Sequence, residues 1–325
     1  MKENRITELE SLHEYMSEVP FDTMLTELYS ARSLYGFDPS EAYVPCYALS
    51  QDRIVYEHVM RTGLRPSSVP EALSRVSHDF CIQAVMKEFI DNHGQQGLVG
   101  IMGGHSLLRD DSVYRDIVLL SKRLTEAGKL MVSGGGPGAM EATHLGAWLA
   151  GRDEADVDAA LRIISVTKDA ANEEEWIHSS FELMMKFPRV GDYVSLGIPT
   201  WFYGHEPATP FATHIAKLFD NSIREDHILL VSNMGIIFTP GSAGTMQEIF
   251  QNATQNHYET YGYSSPMVFF GSEFWTKRMP AYTFLQEMMK CGQYKNLRLS
   301  ITDSIDEAVK TIMDYGSLSR GKGTD

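Results

Sequence analysis

Two glycine-rich runs in the sequence have the composition of phosphate-binding turns. The first, residues 133–141, reads SGGGPGAME and lies between an apolar stretch and an amphipathic one. Glycine allows positive φ and lets a phosphate approach the main chain, while a following helix presents unpaired amides at its N-terminus. The run also fits the pattern G-x-G-x-x-G/A of dinucleotide-binding turns, although a turn made only for packing is the alternative. The predicted ligand contacts are Gly134, Gly135, Gly136, Gly138, Ala139, Met140 and Glu141.

The second run, residues 239–248, reads TPGSAGTMQE and again lies between an apolar stretch and a predicted helix. Neither run ends in the Gly-Lys-Ser/Thr sequence of a P-loop, so the pair of turns favours a compact phosphorylated ligand over a triphosphate with magnesium. Glu248 lies one helical turn beyond Thr245, on the same side. Its carboxylate can face the ligand or simply stabilise the helix N-terminus. The predicted contacts in this run are Gly241, Ser242, Ala243, Gly244 and Thr245.

A third turn, with the sequence GGHS at residues 103–106, follows the first apolar run. We expect Gly104, His105 and Ser106 to contact the ligand, with His105 near a base or ribose, although a histidine in a turn is often only a surface residue. Aromatic side chains in residues 201–207 could stack on a base, but packing is the favoured interpretation.

Short apolar runs alternate with longer amphipathic stretches after residue 97. This alternation predicts an α/β fold, a doubly wound parallel sheet with helices on both faces, whose ligands bind beyond the carboxyl ends of the strands. The three glycine turns would then share one edge of the sheet, and residues 167–210 show no clear pattern. The predicted strands are 98–102, 130–132, 163–166, 235–238, 267–270 and 297–301. The predicted helices are 112–127, 138–150, 211–231, 243–256, 274–290 and 305–315.

The first part of the chain has a different pattern. Apolar residues recur at helical spacing over residues 5–92, without any motif that carries chemistry, and the polar stretch 92–97 follows. We therefore predict a mainly helical N-terminal region, residues 1–95, and a second domain, residues 96–325.

Composition limits the partners of this protein. Its 325 residues include 28 Lys and Arg against 43 Asp and Glu, and the net charge of −15 repels nucleic acid and anionic membranes. A small anionic ligand remains possible, because helix N-termini can bind a phosphate in an acidic protein. The three cysteines lack zinc-site spacing, residues 1–10 contain no apolar run, and no stretch approaches the roughly 20 apolar residues of a membrane span. We expect a cytoplasmic protein that binds neither long nucleic acid nor membranes.

The three turns together resemble the Lonely Guy (LOG) family, which includes the bacterial nucleotide 5′-monophosphate nucleosidases. The resemblance covers about residues 98–315. It implies a Rossmann-like nucleotide-binding domain that hydrolyses the N-glycosidic bond of a nucleoside 5′-monophosphate to free base and ribose 5-phosphate. It also implies that no metal or organic cofactor takes part, and that the protein is a homodimer or a larger homo-oligomer.

The family pattern includes an arginine on the helix before the second glycine run and a glutamate within the helix that follows it. Glu248 matches the glutamate, Arg224 is the best match for the arginine, and Glu206-Pro207 resembles a Glu-Pro step of the nucleosidases. Ser242 stands where the family usually has glycine, and Arg224 lies one residue further from Pro240 than usual.

These matches imply catalytic roles for Glu248 and Arg224. A carboxylate beside the anomeric carbon stabilises an oxocarbenium-like transition state or activates water, and a guanidinium can bind phosphate or the departing base. Two alternatives remain open. Arg224 could form only a surface ion pair with Glu225 or Asp226, and the protein could bind or sense nucleotides without turnover.

Overall fold

The computed structural model describes residues 11–41, 43–94, 96–202 and 206–320. The expectations for residues 1–10 therefore concern a segment outside the described residues. The described part begins with helical residues 11–18, and further helices follow along the chain. The helices are α1 (Ala31–Tyr35), α2 (Gln51–Thr62), α3 (Val69–His93), α4 (Ser112–Glu126), α5 (Ala139–Trp148), α6 (Glu154–Ile164), α7 (Glu173–Lys186), α8 (Asn221–Val231), α9 (Ala243–Tyr258), α10 (Ala281–Lys290) and α11 (Ile305–Arg320).

A seven-stranded sheet forms the centre of the fold, and all its strand pairs are parallel. The strands lie side by side in the order β4-β3-β2-β1-β5-β6-β7. The strands are β1 (Leu98–Met102), β2 (Leu130–Ser133), β3 (Ser195–Gly197), β4 (His214–Ile215), β5 (Ile236–Phe238), β6 (Pro266–Phe270) and β7 (Arg298–Thr302).

The strand order reverses at β1. The chain runs outward from β1 to β4, returns to the other side of β1, and continues outward from β5 to β7. Because parallel crossovers are right-handed, the two directions place helices on opposite faces of the sheet. The prediction of a doubly wound, Rossmann-like α/β fold is confirmed, and its ligand crevice belongs between the carboxyl ends of β1 and β5.

The burial of the central strand, β1, explains why its apolar run stands out in the sequence. All five residues of β1 are buried, and the strand pairs with β2 on one side and β5 on the other, with Val99 opposite Met131 and Ile101 opposite Ile237. Such strands read as continuous apolar runs, because both faces are covered.

Three predicted elements were wrong. The strand expected at 163–166 is the end of helix α6, whose Val157, Ala160, Leu161 and Ile164 are buried at helical spacing. The helix expected over 211–231 contains strand β4 before α8 begins at Asn221. The helix expected over 274–290 is a π-helical turn, Phe274–Arg278, that is separated from α10 by Pro280. Short apolar runs do not distinguish strand from helix.

Residues 167–210, which show no pattern, contain helix α7 and strand β3. The acidic side chains Glu173, Glu174 and Glu175 occupy the first turn of α7, where the helix dipole favours them, and Asn172 caps that turn. Strand β3 has only three residues, Ser195–Gly197, which is too few for a recognisable alternation.

The N-terminal region is helical, as predicted, and it packs against the β4 edge of the sheet. Tyr29 exchanges two backbone hydrogen bonds with Ile215, at 2.9 and 2.8 Å. Asp52 forms a buried ion pair with Lys217 at 2.5 Å. The buried apolar side chains of both parts form one continuous core, so the boundary predicted at residue 95 remains a prediction about independent folding.

Candidate functional site

A cleft of about 310 Å³ opens at the carboxyl ends of β1 and β5, where the strand order reverses. Residues from all three glycine turns and from helix α8 meet there. Its lining residues are Gly103, Gly104, His105, Met140, Glu206, Arg224, Glu225, Ser242, Ala243, Gly244, Thr245 and Glu248.

The second glycine run forms an open helix N-terminus in this cleft. Ser242 is the N-cap of α9, but its side chain makes no capping hydrogen bond, and residues 242–244 are exposed. The first amides of a helix have no partners within the helix and attract anions. Gly241 lies behind them, and a Cβ there would be 2.1 Å from Thr245 Oγ1 and 3.1 Å from the Gly104 amide nitrogen. Only glycine allows the two turns to approach this closely.

The first glycine run lies deeper than the sequence suggests. Residues 134–139 are buried, and only Met140 of this run lines the cleft. A Cβ on Gly134 would be 2.5 Å from Met140 Sδ, and one on Gly136 would be 3.0 Å from Met140 Cε. The methionine side chain therefore covers both glycines.

Two backbone amides of this run donate hydrogen bonds to other atoms of the protein and are not free to bind a ligand. Gly135 N–H donates to Ser133 Oγ at 3.1 Å, and Ala139 N–H donates to the Gly104 carbonyl at 3.1 Å. Gly138 has φ of +70°, and a Cβ there would lie 2.4 Å from the same Gly104 carbonyl. Close packing between turns, the alternative interpretation, thus accounts for Gly138 and for the Ala139 and Gly135 amides.

Glu141 is not available to a ligand, contrary to the prediction. Its carboxylate is fully buried, accepts hydrogen bonds from Arg109 Nη2 at 2.6 Å and Nε at 2.9 Å, and accepts another from the Tyr114 hydroxyl at 2.8 Å. Arg109 also donates to the carbonyls of Trp176 and Thr167. This network joins helix α5 to α7 and to the turn after β1. No local sequence signal points to Arg109.

In the third turn, Gly104 and His105 line the cleft, whereas Ser106 is exposed beside it. His105 Nδ1 lies 3.9 Å from Glu206 Oε1, and the histidine side chain is half-exposed. Glu206 faces the cleft with only 15% of its side chain exposed. In the sequence, Glu206 is singled out only by the resemblance of Glu206-Pro207 to the Glu-Pro step of the nucleosidases.

Arg224 reaches the cleft from helix α8. The residue is 8% exposed, and its Nη1 lies 3.8 Å from the point where a Cβ on Gly134 would be. Within the described residues its buried Nε has no hydrogen-bond partner and its guanidinium has no ion pair. The alternative of a surface ion pair does not hold, because Glu225 accepts from Asn221 and Gln247, and Asp226 from glutamines of α9. Burying a charge that forms no direct ion pair is costly, so this guanidinium suits an anionic ligand.

Glu248 lies in the same cleft, on helix α9. Burial raises the pKa of its carboxyl to about 7, with Glu225 and Glu206 acting in the same direction and Arg224 acting against them. A carboxyl group with a pKa near neutrality can accept or donate a proton at working pH. The two residues matched to the family's catalytic pair therefore face one cavity.

The aromatic segment is in part structural. Trp201 is buried, stacks on Phe219 at 4.8 Å, and donates its Nε1–H to Asp52 at 3.1 Å. Phe202 is half-buried, and residues 203–205 lie outside the described part of the chain. Packing is confirmed for Trp201.

Two further features concern the described ranges only. No cluster of three or more His, Cys, Asp or Glu side chains within them is arranged to hold a metal ion. No helix within them is long and apolar enough to cross a bilayer.

Comparison with known proteins yields matches among solved structures. The chain is similar to a molybdenum cofactor binding protein from Rippkaea orientalis, with 14% identity over 67% of this chain and 96% of that chain, at a TM-score of 0.42. It is also similar to the molybdenum cofactor carrier protein from Chlamydomonas reinhardtii, with 13% identity over 68% of this chain and 99% of that chain, at a TM-score of 0.42. No protein-family model and no curated protein matches the sequence. The function must therefore be inferred from the residues of the cleft.

Proposed function

We propose that this protein hydrolyses the N-glycosidic bond of a nucleoside 5′-monophosphate, releasing the free base and ribose 5-phosphate. One observation carries the proposal. A buried guanidinium, Arg224, without an ion pair among the described residues shares a cleft with Glu248, whose pKa is about 7. The resemblance of the three glycine turns to the LOG family supports the same reaction.

In the proposed reaction the bond between C1′ and the base nitrogen breaks, and positive charge develops on the ribose. Ionised Glu248 stabilises that charge and accepts a proton from the attacking water, whose oxygen becomes the new hydroxyl group at C1′. The base leaves with the bonding electron pair and takes up a proton.

The anionic end of the substrate is assigned to the open N-terminus of α9 and to Arg224. Ser242 to Thr245 present the first amides of that helix in the cleft, and a guanidinium can hold a phosphate through two parallel hydrogen bonds. His105 and Glu206, which also line the cleft and lie 3.9 Å apart, are proposed to contact the ribose or the base.

The direct test is chromatography of free base after incubation with a panel of nucleoside 5′-monophosphates. The control is Glu248→Gln, which keeps the shape of the side chain and removes its charge. Base release that falls by about 10²-fold or more in the variant would support the hydrolase. Equal release from both proteins would contradict the role of Glu248.

Binding without turnover is the second candidate function. The position of Met140 over Gly134 and Gly136 restricts access to the main chain of the first glycine run, and Ser242 stands at the start of α9 where the LOG family usually has glycine. A thermal shift with a nucleotide that releases no base would favour this function over hydrolysis.

A further inference from the structure

We propose that Asp79, in the N-terminal helical region, is a positioning residue that fixes helix α8 and thereby the guanidinium of Arg224. The inference rests on the proposed function for the role of Arg224 in the cleft. The N-terminal region, which carries no motif of its own, would then help to position a residue of the cleft.

Asp79 lies on helix α3 and points into the start of α8. Its carboxylate accepts hydrogen bonds from the Phe219 amide at 3.0 and 3.2 Å and from the Asp220 amide at 2.8 Å. Asp79 is 3% exposed. Buried hydrogen bonds from two successive amides to one carboxylate define both the position and the direction of the chain that enters the helix.

The connection from these amides to Arg224 is short. The side chain of Asp220 caps α8 by accepting from the amides of Ser222 at 2.8 Å and Ile223 at 3.3 Å. The Arg224 amide then donates to the Asp220 carbonyl at 3.2 Å, which closes the first turn. A displacement of residues 219–220 is therefore transmitted directly to Arg224.

The position of Asp79 is itself fixed by His78 and, through His78, by Tyr29. His78 Nδ1 lies 2.8 Å from Asp79 Oδ1, and His78 Nε2 lies 2.9 Å from the Tyr29 hydroxyl. The backbone of Tyr29 pairs with Ile215 of β4, the strand that precedes α8. The N-terminal region thus contacts both the strand before α8 and the two residues, 219 and 220, that lead into the helix.

Glu71 provides a matched control on the same helix. It is also buried, and its carboxylate is bound by His58, Arg75 and Tyr15, which all belong to the N-terminal region. Both acids sit in buried networks, but Asp79 accepts hydrogen bonds directly from the two residues that lead into the helix of Arg224. Glu71 is linked to this segment only through Arg75, whose guanidinium lies 5.4 Å from the centre of the Phe219 ring. A general loss of packing would follow from either substitution, whereas weaker hydrogen bonds to the backbone of residues 219 and 220 would follow only from Asp79→Asn.

The experiment compares wild type, Asp79→Asn and Glu71→Gln in kcat/KM for base release and in Kd for ribose 5-phosphate by calorimetry. Circular dichroism and thermal unfolding establish that each variant is folded. We expect Asp79→Asn to lose about 10- to 100-fold in kcat/KM, as misplacement of a substrate-binding group by about 1 Å does, and to bind ribose 5-phosphate more weakly. Glu71→Gln is expected to retain both constants within about threefold of wild type at temperatures where it is folded.

A double-mutant cycle separates positioning from a purely structural role. If Asp79 acts through Arg224, Asp79→Asn adds little to the loss already caused by Arg224→Met. Additive losses, or a wild-type Kd in Asp79→Asn, would overturn the proposal. Should Asp79→Asn fail to fold, Tyr29→Phe removes the hydroxyl bound to His78, and it is expected to weaken ribose 5-phosphate binding in an Arg224-dependent manner. Unchanged binding in that variant would count against the proposal.

The two proposals fail in different ways. If wild type releases no base, but its binding of ribose 5-phosphate weakens on substitution of Arg224 or of Asp79, the nucleosidase proposal fails and the positioning role stands. If base is released and Asp79→Asn matches wild type, only the positioning role fails. A wild type that shows neither release nor binding would contradict both.

Discussion

Arg224 and Glu248 carry opposite charges in one cleft, yet they form no ion pair within 4.0 Å. Burial has the largest effect on the pKa of Glu248 and raises it, Arg224 has the next largest and lowers it, and Glu225 and Glu206 raise it further. The arginine in turn keeps its charge for a ligand. Both groups are thus available for chemistry at the expense of local stability.

The pKa of Glu248 predicts how the reaction depends on pH. If the ionised carboxylate is required, kcat/KM rises with pH, is half-maximal at a midpoint of about 7, and becomes constant well above it. Glu225→Gln removes a negative neighbour that raises this pKa, so its midpoint should lie below that of wild type. Initial rates of base release measured across this pH range provide the check. An unchanged midpoint in Glu225→Gln would contradict the assignment of the rise in kcat/KM to the ionisation of Glu248.

The same group predicts a pH-dependent gain in stability for Glu248→Gln. The folded pKa, about 7, lies above the ordinary value of 4.5, so the folded protein holds a proton that the unfolded chain releases between these values. Wild type therefore loses stability as the pH rises towards about 7, and the glutamine variant does not. The difference corresponds to an upper limit of roughly 3 kcal/mol above pH 7, and to a rise of a few degrees in Tm.

Thermal unfolding at about pH 8 and about pH 5 tests this difference. The variant should be the more stable protein at the higher pH, and the gap should narrow at the lower one. A constant gap would indicate packing rather than ionisation.

At the scale of elements, helix α5 depends on a buried ion pair rather than on a ligand. Glu141→Ala leaves the guanidinium of Arg109, which is 3% exposed, without its carboxylate partner. Breaking one side of a buried pair destabilises proteins by about 3–5 kcal/mol. Chemical unfolding should show this loss, while KM measured under folding conditions stays near the wild-type value. A large rise in KM with unchanged stability would instead support the prediction that Glu141 contacts the ligand.

The sequence predicted the elements that have both an apolar strand and a glycine turn. Strands β1, β2 and β5 each end in such a turn, and they lie next to one another in the sheet. Strands β3 and β4, with three and two residues, are too short to produce alternation, and their places are defined by the pairing of β3 with β2 and of β4 with β3. The apolar end of α6 resembles a strand in the sequence because four residues are too few to reveal a helical period.

The candidate site was predictable where it is local in sequence. The turn at the start of α9 and the helical spacing to Glu248 are short-range features, and the structure brings them to the cleft. The burial of the first glycine run under Met140 and the pairing of Glu141 with Arg109 depend on tertiary contacts between distant segments. The role of Asp79 likewise cannot be predicted from the sequence, because its partners are backbone amides in a distant segment.

On the scale of the whole molecule, the N-terminal region and the sheet share one core. A fragment of residues 96–325 would leave Lys217, which is 2% exposed in the full chain, without Asp52. It would also expose apolar side chains that the N-terminal region covers, among them Phe219, which contacts Phe21, and Trp201, which contacts Tyr29. We expect this fragment to lack cooperative thermal unfolding, whereas the full chain unfolds cooperatively. A fragment with a sharp transition would support the predicted boundary at residue 95 as a true domain boundary.

The backbone bridge between Tyr29 and Ile215 also has a consequence for association between molecules. A strand at the edge of a sheet offers unpaired N–H and C=O groups that can template pairing with another chain. Strand β4 is only two residues long, and Tyr29 satisfies both backbone groups of its Ile215. The backbone of Tyr29, in the N-terminal region that packs on this edge, therefore helps to protect strand β4 from edge-to-edge pairing with another molecule.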